Sequence, residues 1–457
     1  VEGVARFLSL AVARDYMIKA ELEGFKTEIM ENIIVVIGGN ASITVTMEMG
    51  ALEEEVTVTA VTPVVDTKKT AVGTNVTQEV LQSIPTARDP WVILQMAPSV
   101  MMDRENVGGG ESGQQSNYVA RGASGTGNNV WAMDGIVVTD PAAIGGSPSY
   151  YDFDAFEEMN ITVGGADVTV QTGGVALNMV TRRGGNRVSL GGRFYMVDDR
   201  FQPNTDAAVE EIRAQELAGP GQYFNGVNRI RNNKDYGFNI GLPIIKDKAW
   251  FWGSFGVQDL KTQNAYATPD DTLLTNMVAK LNLQIIPENR FEAFIHAGKK
   301  EKWGRSASST FPGGWNQTGA YHFGSPIIKF QDEHMFGDNL FVSIKYAWSN
   351  AGFRLTPDMD EARENIMVWD NLDWRWENSY WQYYVDRPVN TYNGQANLFL
   401  DNVLGMSHDW KVGFDYAVRA ELGGWHMVGR TQMEINMDYP YFDWDGDGSY
   451  DTIPSQT

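Results

Sequence analysis

Residues 234–242 read KDYGFNIGL. Tyr236, Phe238, Ile240 and Leu242 alternate with Asp235, Gly237, Asn239 and Gly241. That two-residue period is a strand with one apolar and one polar face. The same rhythm recurs. In RVSLGGRFYM (187–196), Val188, Leu190, Phe194 and Met196 alternate with Ser189, Gly191, Arg193 and Tyr195. In NMVAKLNLQI (276–285), Met277, Ala279, Leu281, Leu283 and Ile285 oppose Asn276, Lys280, Asn282 and Gln284. WKVGFDYAVRA (410–420) repeats it with Trp410, Val412, Phe414, Tyr416 and Val418. Each run is about 9–11 residues, the length of a tilted strand across a bilayer. Some connections are tight, such as 287–289, and others long and polar, such as 198–233 and 352–390. Tight turns on one side and long loops on the other describe a large antiparallel barrel in a membrane. Glycine, lysine, arginine and aspartate on the polar faces fit a water-filled lumen. The aromatics of KAWFWGSF and YAWSN fit interfacial girdles. A soluble sandwich or propeller would also alternate, and is the competing reading.

The totals agree with a β-rich chain. Among 457 residues there are 47 glycines, 12% aromatics and no cysteine. Without cysteine there is no disulfide framework and no thiolate chemistry. The formal net charge of −22 argues against a nucleic-acid surface. No window reaches the roughly 18–20 apolar residues of a membrane helix.

Upstream of the alternating tract the organisation changes. Residues 1–50 read as short strands of a small β-sandwich, with Ile43, Val45 and Met47 alternating with Ser42, Thr44 and Thr46. Residues 51–62 read as an acidic linker holding one extended segment. Residues 63–185 mix helical spacing in TQEVLQSIP and DPWVILQMAP with glycine-broken strands, which makes a compact α+β unit. Residues 186–457 hold the alternation.

Five stretches in register carry a family resemblance: EEEVTVTA (53–60), VGTNVTQEVLQSIPTARDPWVILQMAPSV (72–100), VARGASGTGNNVWAMDGIVVTD (119–140), YYDFDAFEEMNITVGGADVTVQTGGVALNMVTRRGGN (150–186) and LPIIKDKAWFWGSF (242–255). Together they resemble the TonB-dependent outer-membrane receptors, in their Oar-like branch. The resemblance implies a mainly β chain. It would comprise a carboxypeptidase-regulatory-like β-sandwich piece, an α+β plug domain, and the first part of a transmembrane β-barrel of about 22 strands. Roughly nine to eleven strands are readable after residue 186. The expectation is therefore an N-terminal fragment of a longer protein.

The resemblance also assigns residues. Val56, Thr57, Val58, Thr59 and Ala60 are similar to a TonB box, the extended segment that a TonB-type energy-transducing protein would add as a strand. Arg121, Gly122, Asp134 and Gly135 become plug signature positions, read as structural rather than as ligand contacts. Arg121 can fork to a carboxylate, and Asp134 precedes a glycine as a turn aspartate does. The implied setting is integral to a bacterial outer membrane. Implied partners are membrane lipid, an unidentified oligosaccharide, peptide or protein ligand, and in some arrangements a surface lipoprotein or further subunits.

Two other patterns bear on chemistry. In DWDGDGSYD (443–451), Asp443, Asp445, Asp447 and Asp451 have the spacing of the first half of a calcium loop, with Gly448 at the sharp turn. Pro454 stands where a full EF-hand has its glutamate, so the expectation is a calcium-binding loop of another kind. The five histidines, 296, 322, 334, 408 and 426, lack paired ligand spacing and read as structural. No nucleophile elbow or phosphate loop has its proper context. No enzyme is expected. The competing function on the same fold is a surface adhesion or assembly scaffold that uses the aromatic loops.

Overall fold

The computed structural model describes residues 13–35 and 43–49, the backbone of 55–59, and, with short interruptions, 72–201, 228–357 and 381–427. It also describes the backbone of three short strands between 368 and 435. Arg121, Gly122, Ala60 and the aspartates of 443–451 lie outside the described residues.

At the N-terminal end, β1 (Ala13–Ala20) pairs antiparallel with β2 (Thr27–Val35). A third strand, β3 (Glu55–Thr59), joins β2 in parallel, with Val58 opposite Met30. The segment read as a strand within a linker is thus held in this sheet. Its β-branched run suits a pleated ladder.

The plug follows. β4 (Val72–Thr77) leads into α1 (Gln78–Ser83) and then α2 (Pro90–Leu94). Asp89 caps α2, accepting a hydrogen bond from Val92 N at 3.0 Å, and Pro90 occupies the first turn, where no N–H is needed. A short ribbon pairs β5 (Val100–Met102) with β6 (Tyr118–Ala120). The main plug sheet adds β7 (Val130–Met133), β8 (Ile136–Val137), β9 (Phe156–Gly164) and β10 (Ala176–Thr181), in the order β4-β9-β10-β7-β8. Its core is fully buried, with Trp131, Ile93, Leu94, Met159, Ile161 and Met179 at its centre. Trp91 and Tyr118 pack on Trp131 at ring distances of 5.6 and 5.9 Å.

Next, β11 (Ser189–Asp198), β12 (Arg229–Ile245), β13 (Ala249–Gln263), β14 (Asp271–Ile286) and β15 (Asn289–Arg305) pair antiparallel in sequence order. There the wall forks. The outer end of β15 pairs with β16 (Trp315–Gly319), and its inner part, Asn289–Gly298, pairs with β17 (Ser325–Phe336). β17 continues the wall through β18 (Leu340–Asn350). β16 instead starts an outer sheet with β19 (Phe353–Pro357). A separate small sheet contains β20 (Val368–Asp370) and β21 (Arg375–Glu377). The outer sheet resumes with β22 (Trp381–Asp386), the wall with β23 (Pro388–Val403) and β24 (Met406–Arg419), and β25 (Leu422–Met427) follows β22 in the outer sheet.

The wall is inside out. On β12, Tyr236 and Phe238 are exposed while Asn233, Asp235 and Asn239 are buried. Likewise Met277 and Phe330 face out while Asn276, Lys280, Lys329 and Gln331 are buried. Outward apolar and inward polar faces are the pattern of a lipid-facing barrel. Two expectations need correction. The inner face is not a water-filled lumen, because the plug occupies it. Trp252 is not a girdle residue: it is 0% exposed and joins the plug core with Val278, Phe294 and Ile327. Most wall strands also exceed 9–11 residues, β11 with 10 and β18 with 11 being within that range. β12 and β15 each have 17, and the outer end of β15 runs on to pair with β16.

Candidate functional site: the interface between plug and barrel wall

The chemistry of the molecule is concentrated where the plug meets the inner wall. Asp134 and Gly135 form the turn between β7 and β8 with φ of 46° and 74°. Two positive φ values in sequence make the tight hairpin turn that Asp-Gly favours. The Asp134 carboxylate accepts from Thr181 N at 2.9 Å and Thr181 Oγ1 at 2.6 Å. Lys280 of β14 donates to the same carboxylate at 3.1 Å, and Lys329 of β17 donates to the Asp134 carbonyl at 3.0 Å. Glu292 of β15 lies between the two lysines, 3.3 Å from Lys280 and 2.8 Å from Lys329. Gly135 N donates to Asn178 Oδ1 at 3.1 Å. Asp134 and Gly135 therefore dock a plug hairpin on the wall.

A second cluster lies deeper in the sheet. Arg193 of β11 holds three carboxylates: Asp152 at 2.9 Å, Asp154 at 3.1 Å and Asp235 at 2.7 Å. Arg88 of the plug reaches Asp154 at 2.6 Å and Asp235 at 2.7 Å, and stacks over Tyr195 at 4.6 Å. Burial raises the Asp152 pKa, and Arg193 opposes that shift.

Towards the long-loop side, Lys300 of β15 donates to Gly113 O and to Gln114 Oε1, at 2.5 and 3.1 Å, and lies 4.9 Å over the Tyr150 ring. Arg387 joins Asp140 of the plug at 2.9 Å and Glu421 at 3.3 Å. His296 is buried against the plug, 3.4 Å from Ser149 Oγ with its ring 5.3 Å from Tyr151, in keeping with a structural histidine.

The outer sheet carries stacked aromatics. Trp425 packs on Tyr383 at 4.7 Å and Trp315 at 6.2 Å, and Phe353 packs on Tyr383 at 5.5 Å. Arg305 and Arg387 lie over Phe353 at 5.9 and 5.4 Å. Among the described residues, no three His, Asp or Glu side chains converge as a metal site.

Residues 66–177 match the TonB-dependent receptor plug domain. Over 275 residues the chain is 28% identical to the TonB-dependent transporter Oar of Myxococcus xanthus. The chain carries a TonB-dependent receptor plug domain and is similar to a TonB-dependent transporter. These matches are to receptors and transporters, not to enzymes. The match to Oar covers 56% of this chain and 24% of that protein, so the chain spans about a quarter of the curated relative. The fold is similar to the siderophore receptor PirA from Acinetobacter baumannii, with a TM-score of 0.53 at 13% identity. That alignment covers 76% of this chain and 47% of PirA. The ferric enterobactin receptor PfeA of Pseudomonas aeruginosa gives a TM-score of 0.53 at 12% identity, covering 77% of this chain and 50% of PfeA.

Motif reading singled out Asp134 and Gly135. It missed Arg88, Asp152, Asp154, Arg193, Asp235, Lys280, Glu292 and Lys329. For Arg193, Asp235, Lys280, Glu292 and Lys329 a signal was present: they are charged residues at inward positions of wall strands whose other face is apolar, whereas Arg88, Asp152 and Asp154 stand outside the strands and gave none. What the alternation lacks is any record of which plug atom each one meets.

Proposed function

We propose that this chain is part of an outer-membrane transporter that takes up an unidentified ligand, with the plug moved by a TonB-type protein acting on Val56–Ala60. The observation that carries this reading is the polar seating of the plug. Its hairpin and loops meet the wall through lysine, arginine and carboxylate contacts, beside an apolar contact at Trp252, Val278, Phe294 and Ile327. Such contacts can be exchanged for water as the plug shifts, whereas a broad apolar interface would resist opening. The stacked aromatics and arginines of the outer sheet suit a ligand with ring or planar groups, an oligosaccharide or peptide among them. The aspartates 443, 445, 447 and 451 extend the reading to calcium in an outer loop, for which calorimetric titration of the full-length receptor is the test.

Substituting Val58→Pro in the full-length receptor tests the transport reading, because proline removes a ladder donor from any strand this segment forms. Uptake is expected to fail while ligand still binds at the cell surface. Uptake at the unsubstituted rate would overturn transport through this segment and leave the adhesion or assembly scaffold as the better reading.

A further inference from the structure

A small polar cavity lies between Asp152 of the plug and the barrel wall. Arg88, Arg193, Asp235, Gly256 and Asn276 are among its lining residues. The charges around it do not cancel. Asp152, Asp154 and Asp235 bring three negative charges, while Arg88 and Arg193 bring two positive ones. Each nitrogen of Arg193 is already engaged with a carboxylate: Nη2 with Asp152, Nη1 with Asp154 and Nε with Asp235.

The surplus has a location. Asp152 is 1% exposed, and its Oδ2 has no partner among the described residues. Asn276, 4% exposed, likewise leaves Oδ1 unpartnered. Both orphans are acceptors, so the occupant must bring hydrogens or positive charge. A water would meet the lone pairs and leave the charge, and an unneutralised buried charge is the costlier of the two. Burial raises the Asp152 carboxyl; Arg193 opposes the shift and Asp154 and Asp235 add to it. The space admits about one water-sized sphere. One missing charge and two unpartnered oxygens suit a monovalent ion better than a divalent one. Gly256 keeps the wall open here: a Cβ on it would stand 3.0 Å from Asp152 Oδ2.

The geometry points to a site for one small monovalent cation of the sodium class, between Asp152 Oδ2 and Asn276 Oδ1. The plug supplies one oxygen and the wall the other, so the site exists only while the plug is seated. It is independent of what the receptor carries.

The test is amide hydrogen exchange of Phe153–Phe156 in the full-length receptor in detergent, with sodium chloride against choline chloride at equal ionic strength. Exchange is expected to be about tenfold slower in sodium, the effect of an ion at roughly ten times its Kd. Asp152→Asn and Asn276→Ala are each expected to abolish the difference. Where Asp152→Asn prevents plug seating, Asn276→Ala decides. Equal exchange in the two salts overturns the site and leaves a buried water. Exchange that follows pH but not sodium assigns the charge to a proton and also overturns it. So does a sodium effect that persists in Asn276→Ala.

Discussion

Lys329, on the inner face of the wall, donates to the backbone carbonyl of Asp134 at 3.0 Å and to Glu292 at 2.8 Å. One flexible side chain thus joins a plug turn to a wall carboxylate. Lys329→Met leaves Glu292 with Lys280 and the Asn282 amide and strips the carbonyl of its donor. Breaking a buried pair from one side costs about 3–5 kcal/mol. Protease nicking of the β7–β8 hairpin in the full-length receptor should rise accordingly. The double substitution with Glu292→Gln should be less damaging than the sum of the two singles, because it leaves no lone charge. Additive damage would show that the pair is not coupled.

Gly298 lies beneath the plug backbone. A Cβ on it would overlap the carbonyl oxygen of Tyr150 and stand 2.6 Å from Ser149 Oγ. Gly298→Ala should therefore lift the 147–151 segment, at about 1–3 kcal/mol for an overpacked contact. Gly192→Ala is the control, since its nearest neighbour would be Gly237 O at 3.7 Å. A plug that unfolds at the same denaturant concentration in both variants would count against this seating.

Asp89 gives a pH dependence. Burial raises its carboxyl to about 6, against the hydrogen bonds from Val92 and Asn106 that favour the charged form. A carboxyl raised on folding is bound to a proton in the folded plug at pH values where the unfolded chain has lost it. Its cost is therefore full above about pH 6 and relieved as pH falls towards 4. At 1.36 kcal/mol per unit the span is about 3 kcal/mol. Asp89→Asn keeps a capping oxygen and should flatten this part of the stability profile, measured as the plug's unfolding midpoint between pH 4 and 7. An unchanged profile would remove Asp89 from the account.

Trp425 is half exposed, yet it stacks on Tyr383 and Trp315. Trp425→Ala should loosen the outer sheet and weaken ligand capture while leaving plug unfolding within about 0.5 kcal/mol, the range of surface changes. A large shift in plug stability would place this ring in the structural core instead.

Much of this molecule was legible in its alternation, and the reason is physical. A wall with lipid outside and a polar domain inside writes opposite chemistry on successive residues. KDYGFNIGL therefore exposed Tyr236 and Phe238 and buried Asp235 and Asn239. The Asp-Gly turn was legible because only a few residues tolerate two positive φ values. The partners were not legible. Nothing local links Arg88 to Asp235, which are separated by 147 residues. Trp252 misled because an aromatic near a strand end looks the same whether it faces headgroups or a plug. The pairing of Glu55–Thr59 was hidden for a related reason: a β-branched run shows that a strand can form, but not which edge receives it.

That last pairing has a mechanical consequence. β3 is held to β2 by a parallel ladder five residues long. Tension along the axis of β3 would strain all of its hydrogen bonds together in shear, whereas tension across it would unzip them one after another at a much lower force. The direction of pull therefore sets whether this strand comes away from its sheet or drags the sheet with it. A tether drawn from one angle would release the strand early, and from another would pass its force on towards the plug through β4.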